Sequence, residues 1–362
     1  MIDKIILFPY WLILKIRHFM YDHGIKKVHS ADVPTICVGN ITVGGTGKTP
    51  HTEMIIKTLT HDVDWGAKNI AVLSRGYKRK TKGFQQVVAE GSAKLFGDEP
   101  LQIKRKFPYI TVAVDKSRKQ GCDFLCNPEM AQTSKKARKC LHKDFPKADL
   151  IILDDAFQHR ALKPTVSIVL VDYNRPIFKD YLMPMGKLRD LRERISAADI
   201  VIVSKCPRFL DPWERSKWTE ALKITDNQHI FFTTIGYDQS QAVFPEGDPR
   251  YLYTQRLILF SGIANDKPLR NYLSDTYKIV RHFDFPDHHK FSQADISTIN
   301  GAARNFPTSV VMTTEKDCQR IRDCKSVPDN LKQRMFYAPI KVDFFSEQEQ
   351  QEFAATLNSY LK

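Results

Sequence analysis

The segment Thr35-Ile36-Cys37-Val38-Gly39-Asn40-Ile41-Thr42-Val43-Gly44-Gly45-Thr46-Gly47-Lys48-Thr49-Pro50 limits the fold more than any other part of the chain. An apolar strand, Thr35 to Val38, runs into a glycine-rich turn, and Glu53-Met54-Ile55-Ile56-Lys57-Thr58-Leu59 behind it can form a helix. Strand, tight turn and helix in that order aim several backbone N–H groups and the positive end of a helix at one point, which makes a phosphate cradle. The expected nucleotide-binding residues are Gly44, Gly45, Thr46, Gly47, Lys48 and Thr49, with Lys48 a cation for the β- and γ-phosphates and Thr49 a ligand for Mg2+. The strict pattern asks for glycine five residues before Gly47, where this chain has Thr42. The flanking strand and helix carry the assignment despite that departure.

Further apolar runs recur at Ile70-Ala71-Val72-Leu73-Ser74, Tyr109 to Val114, Leu150 to Leu153, Ile168 to Val171 and Ile200 to Val203. They are continuous rather than alternating, so these strands should be buried on both faces of a parallel sheet with helices on either side. The expected fold is α/β: a doubly wound, mainly parallel P-loop domain, then a smaller α/β domain starting near Leu257. The expected boundaries are an N-terminal helix over 1–28, the P-loop domain over 29–228, a two-stranded linker from 229–249 and 336–345, the smaller domain over 250–335 and a C-terminal helix over 346–362. Ligands of such sheets sit beyond the carboxyl ends of the strands, where Arg75, Asp154, Asp155, Asp172 and Lys205 follow the apolar runs.

The stretch Ile5 to Leu14 is apolar but bracketed by Lys4, Lys15, Arg17 and His18 and interrupted by Pro9. It is shorter than the roughly 20 apolar residues a bilayer crossing needs. Phe8, Tyr10, Trp11, Phe19 and Tyr21, with Lys26 and Lys27 beyond them, suit a helix lying in the headgroup plane; a helix packed on the core is the alternative. The 55 Lys and Arg against 41 Asp and Glu leave a net charge of +14, which favours an anionic membrane surface. No nucleic-acid partner is expected, because no reader motif accompanies the charge. Seven cysteines without regular spacing imply no disulfide framework, and Cys122, Cys126, Cys140 and His142 are spaced too irregularly for a zinc site.

Three further constellations can carry chemistry. Asp154-Asp155 ends an apolar strand, as the Mg2+-side element of a P-loop protein does. Gly97-Asp98-Glu99-Pro100 sets two carboxylates at a helix start, and Phe285-Pro286-Asp287-His288-His289 puts a carboxylate and two imidazoles in the second domain. Adjacent side chains point in different directions, so one histidine is expected to do acid–base or orienting work rather than both to bind a metal.

Taken together, Gly39-Asn40 through Pro50, Ser74-Arg75-Gly76-Tyr77, Gly97-Asp98-Glu99-Pro100, Asp154 through His159, Pro184-Met185-Gly186-Lys187-Leu188-Arg189, Asp287-His288-His289 and Thr314-Glu315-Lys316-Asp317 resemble the tetraacyldisaccharide 4′-kinase family of lipid A synthesis. The resemblance implies ATP and Mg2+, lipid A disaccharide 1-phosphate as acceptor, a peripheral place on the cytoplasmic face of the bacterial inner membrane, and two α/β/α domains with a two-stranded linker. It also implies Lys48, Asp98, His288 and Arg189 as catalytic residues, with Asp98 the base paired to His288, and Thr49, Glu99 and Asp155 on the metal side. The family has Glu after the arginine. Here that residue is Asp190, and Glu193 is the expected substitute. A membrane-associated P-loop ATPase or GTPase switch is the alternative. The extra lysine of partitioning ATPases is Val43 here, and the base-reading Asp of GTPases is Pro207.

Overall fold

The computed structural model describes residues 2–324 and 327–362, with side chains described from Leu7 onward, so Lys4, Ile5 and Ile6 of the expected apolar run lie outside the described side chains. Among the described residues fourteen strands form two sheets. They are β1 (Thr35–Asn40), β2 (Ile70–Ser74), β3 (Gln85–Gln86), β4 (Thr111–Val114), β5 (Leu150–Asp154), β6 (Val166–Asp172), β7 (Ile200–Ser204), β8 (His229–Tyr237), β9 (Gln241–Ala242), β10 (Arg256–Ser261), β11 (Lys278–Asp284), β12 (Val310–Thr314), β13 (Met335–Ala338) and β14 (Ile340–Phe344).

The large sheet runs β14-β8-β7-β6-β1-β5-β2-β4-β3. Its seven inner strands, from β8 to β4, are parallel, and only the outermost pairs, β14 with β8 and β3 with β4, are antiparallel. Every residue of β1, β2, β4, β5 and β7 is buried, as the continuous apolar runs require. Successive side chains feed opposite cores. Ile36 and Val38 face the layer holding Ile55, Ile56 and the C-terminal helix (Glu347–Leu361), while Cys37 faces the layer holding Phe124, Leu125 and Leu14. Each such Ile, Leu or Val contributes about 1.5–3 kcal/mol by leaving water.

The smaller sheet runs β11-β10-β12-β13-β9 and has helices on both faces, Ile258 and Phe260 packing on one side, Leu257 and Leu259 on the other. Two expected boundaries change. The run 336–344 is not one strand: Met335–Ala338 lies parallel to β12 in the small sheet, and after Pro339 the chain crosses to pair Ile340–Phe344 with β8. The expected two-stranded pairing with the 230s is present as β14 on β8, and it also forms the edge of the large sheet, since β8 lies parallel to β7. The small domain starts near Gln241 rather than 250, because β9 pairs with β13 and Val243 is buried in the small core.

The N-terminal helix spans Ile2–Asp22, with Pro9 inside it. Leu7, Tyr10, Leu14 and His18 recur at helical spacing and pack inward, Leu14 into the large-domain core. Its opposite face leaves Phe8, Leu12, Ile16 and Phe19 exposed, so one face packs on the core while the other is apolar and open. Among the described residues no helix is long and apolar enough to cross a membrane.

Candidate active site

β1 is flanked by β5 and β6, which leave it in opposite directions across the sheet, and the turns after these strands define one crevice. After β1 the chain turns at Gly44 (φ 112°) and Gly47 (φ 87°), backbone conformations that side-chain-bearing residues rarely adopt. The helix Lys48–Thr60 begins directly on Gly47. The loop is fixed from behind. Asn40 Nδ2 donates to Thr46 Oγ1 at 2.8 Å, Ser204 Oγ donates to the Thr46 carbonyl at 2.8 Å, and Lys205 donates to the Gly45 carbonyl while pairing with Asp172 at 2.6 Å.

Lys48 Nζ lies 3.4 Å from Asn40 Oδ1 and 3.7 Å from Asp155 Oδ1. Burial pulls its ammonium below the ordinary lysine range, and the Asp155 charge opposes that pull. Arg189 reaches both Asp155 oxygens, one at 3.3 Å, and also Asn40. Burial would raise the Asp155 carboxyl, but Lys48 and Arg189 hold it below its usual range. Its neighbour behaves oppositely: burial and then the Asp155 charge push Asp154 up to about 6, although Ser74 donates to it at 3.2 Å.

A second cluster joins the domains. The helix Asp98–Lys106 opens on Gly97 (φ 96°) and faces the small-domain helix Glu315–Ile321. Asp98 Oδ2 is 3.3 Å from His288 Nδ1 and accepts from Arg320 Nε at 2.9 Å and Nη2 at 2.5 Å. Burial alone would raise this carboxyl; its bonds with His288 and Arg320 overcome that and bring it down to about 2. Glu99 pairs with Lys316 at 2.6 Å, and the helix that carries it also packs on the P-loop helix, where Gln102 Nε2 donates to Glu53 at 2.7 Å. The Tyr77 ring lies 6.0 Å from that of His288. His289 turns away to Asp295 at 2.9 Å, so of the histidine pair only His288 faces Asp98.

Four side-chain-bearing residues near these clusters hold left-handed backbone: Lys78 (φ 58°), Asp155 (φ 50°), Lys205 (φ 60°) and His288 (φ 63°). Such conformations persist only where the surroundings over-determine them.

Glu193 does not stand in for the family's glutamate. It faces Lys15 of the N-terminal helix at 3.6 Å and is largely exposed. Asp190 is buried and bonds His18 at 2.7 Å, while the Arg189 carbonyl accepts from Tyr10 at 2.9 Å, so this loop is tied to the N-terminal helix. All seven cysteines are free; Cys122 and Cys126 lie in the core, and among the described residues no group of three or more His, Cys, Asp or Glu could hold a metal ion.

Three residues escaped sequence reasoning. Arg118 is buried and donates to the carbonyls of Asp115 and Asp154. Arg320 joins the two domains, and His51 bolts the P-loop helix to β8. The His51 Nδ1–H donates to the Gly47 carbonyl at 2.7 Å, which leaves Nε2 to accept from Thr233 Oγ1 at 2.9 Å. The ring is thus held neutral, and burial lowers it to about 4. The native state binds fewer protons there than the unfolded chain, so stability is full above the ordinary value near 6.5 and falls as pH drops from about 6.5 to 4. At about 1.4 kcal/mol per unit the loss reaches at most about 3 kcal/mol. Thermal unfolding of wild type and His51→Gln between these pH values should show a shallower pH slope in the variant; equal slopes would remove His51 as the cause.

Residues 4–362 match the family described as Tetraacyldisaccharide-1-P 4′-kinase. A Tetraacyldisaccharide 4′-kinase of Phocaeicola vulgatus is 38% identical over 353 residues, covering 96% of this chain and 91% of that protein. One of Flavobacterium johnsoniae is 37% identical over 362 residues, covering 99% and 97%. The fold is similar to the crystal structure of LpxK from Aquifex aeolicus in complex with ATP, with a TM-score of 0.72, 23% identity and full coverage of both chains. The chain belongs to the tetraacyldisaccharide-1-P 4′-kinase family.

Proposed function

We propose that this chain transfers the γ-phosphoryl group of ATP to the 4′-hydroxyl of tetraacyldisaccharide 1-phosphate, the lipid A precursor. The observation that carries this reading is that the large domain bears both a phosphate cradle, with Lys48 against Asp155, and a carboxylate, Asp98, that meets His288 of the small domain. Phosphoryl transfer asks for little covalent chemistry, so positioning and charge neutralisation dominate. Gly44, Gly45, Thr46 and Gly47 enclose the polyphosphate, and Lys48 and Arg189 offset charge on its oxygens. The acceptor oxygen attacks the γ-phosphorus, the bond to ADP breaks, and the hydroxyl proton passes to Asp98. His288 stands beside that carboxylate, and the small domain that brings it keeps water from competing.

The donor set fits Mg2+. The Thr49 hydroxyl, Glu99 and Asp155 are oxygen ligands of the kind it takes. Thr49, Glu99 and Asp155 would hold the ion, and it would neutralise charge on the phosphate oxygens.

The lipid leaves its bilayer only at about 0.8 kcal/mol per CH2, so the enzyme goes to the membrane. The exposed row Phe8, Leu12, Ile16 and Phe19 is the surface for that, and the cytoplasmic face of the bacterial inner membrane is the site where ATP and lipid meet. Replacing this row with serine should abolish flotation with anionic vesicles at an unchanged thermal midpoint. Leu14→Ala on the inner face should instead cost about 2–5 kcal/mol of stability. Flotation that survives the serine row would assign membrane contact to another surface.

The direct assay incubates the full chain with ATP, Mg2+ and lipid A disaccharide 1-phosphate in mixed micelles. Label on the lipid supports the reading, and ATP hydrolysis without lipid labelling refutes it in favour of an ATPase.

A further inference from the structure

The side chain of Arg320 is only 6% exposed and reaches out of the small domain to the carboxylate at the start of the Asp98–Lys106 helix. Its own placement is rigid. Nη1 donates to Asp317 Oδ1 at 2.7 Å and to the Gly262 carbonyl at 3.0 Å. Asp317 is in turn fully buried and fixed by the Thr314 hydroxyl at 2.7 Å and the Gly262 N–H at 2.8 Å. The guanidinium is therefore braced from behind by groups of its own domain, leaving Nε and Nη2 to face the crevice.

Two consequences follow from counting donors. Nε and Nη2 of Arg320 and Nδ1 of His288 all converge on one oxygen of Asp98, Oδ2. Among the described residues Oδ1 has no protein hydrogen-bond partner. A carboxylate gripped by one oxygen can swing only about the axis that grip leaves free, so the other oxygen is held in a defined direction. Second, Nη2 of Arg320 also lies 3.1 Å from His288 Nδ1. A guanidinium has donors only, so that bond requires a lone pair on Nδ1. The same nitrogen can donate to Asp98 only if it carries a proton, which would then face a cationic donor. The two contacts of Nδ1, to Asp98 and to Arg320, are therefore alternatives set by the tautomer of the ring.

We infer that Arg320 is a positioning residue of this site, gripping Asp98 by Oδ2 so that Oδ1 is presented to the acceptor hydroxyl. The inference rests on the phosphoryl-transfer reading. A fixed base matters because a misplacement of about 1 Å is enough to cost about 10²-fold in rate.

The test uses the full chain in mixed micelles with ATP, Mg2+ and the lipid acceptor, comparing Arg320→Met, Arg320→Lys, Asp98→Asn and the Asp98→Asn/Arg320→Met double variant. Arg320→Met should lower kcat by about 10²-fold while the KM for ATP changes by less than about threefold. Arg320→Lys, which restores the charge but not the fork, should fall between wild type and Arg320→Met. The double variant should be no more than about threefold slower than Asp98→Asn, because residues acting as one unit do not contribute additively. Added guanidinium at sub-denaturing concentration should raise the Arg320→Met rate and leave Asp98→Asn unaffected. Near-normal kcat in Arg320→Met would overturn the inference. So would a full multiplicative loss on top of Asp98→Asn, or a lowered thermal midpoint in Arg320→Lys with no rescue of Arg320→Met, which would make Arg320 a strut between domains. A wild-type chain that puts no phosphate on lipid would sink the phosphoryl-transfer reading itself, whereas an active wild type with an equally active Arg320→Met sinks only the role given to Arg320.

Discussion

Lys48→Met should abolish lipid phosphorylation, by about 10³-fold or more in rate, and leave the thermal midpoint close to that of wild type. The asymmetry comes from geometry. Both native contacts of the ammonium, to Asn40 and Asp155, are long at 3.4 and 3.7 Å, and Asp155 keeps Arg189 as a nearer partner when the lysine is lost. Little folding energy therefore rides on Lys48, whereas a phosphate in the cradle would lose the cation that meets it. Phosphate incorporation into lipid and a thermal melt of the same preparation check both halves. Near-normal transfer with an unchanged melt would remove the P-loop assignment.

Asp98→Asn should lower kcat by about 10²–10⁴-fold, the range for losing a general base, with ATP binding little changed. A carboxyl held near 2 is ionised throughout the neutral range, so the substitution removes a real negative charge along with the proton acceptor. His288→Ala should be damaging in the same direction, and its cost should shrink sharply in the Asp98→Asn background. If ATP affinity collapses in proportion to rate, Asp98 is a metal-side group rather than the base, and additive losses would separate it from His288.

Much of this arrangement is legible in sequence because local rules carry it. Continuous apolar runs mark strands buried on both faces, and β1, β2, β4, β5 and β7 are buried throughout. The glycines of the cradle and the carboxylates closing β5 are likewise set by the turns they occupy. β11 went unread because it is an edge strand of the small sheet: Lys278, Arg281 and Asp284 interrupt its apolar residues, and none of its side chains is fully buried. The split at Pro339 was hidden for another reason. The apolar residues on both sides look alike, and only pairing shows that they serve different sheets.

The unread site residues share a cause. Arg320 finds Asp98 222 residues away, and His51 finds Thr233 182 residues away. A single arginine or histidine on a helix reads as a solvated face until the tertiary fold delivers its partner. Glu193 failed the opposite way: sequence proximity to Arg189 suggested a shared task, yet the chain turns it outward to Lys15.

The left-handed backbone of Lys78, Asp155, Lys205 and His288 bears on how this protein can change. Each conformation costs of order 1–3 kcal/mol for a residue with a side chain and almost nothing for glycine. Drift toward glycine at these four positions would relieve that strain while stripping the carboxylate that follows β5, the lysine from the loop after β7 and the imidazole from beside Asp98. A lineage that relaxed its backbone there would do so at the places its chemistry can least spare.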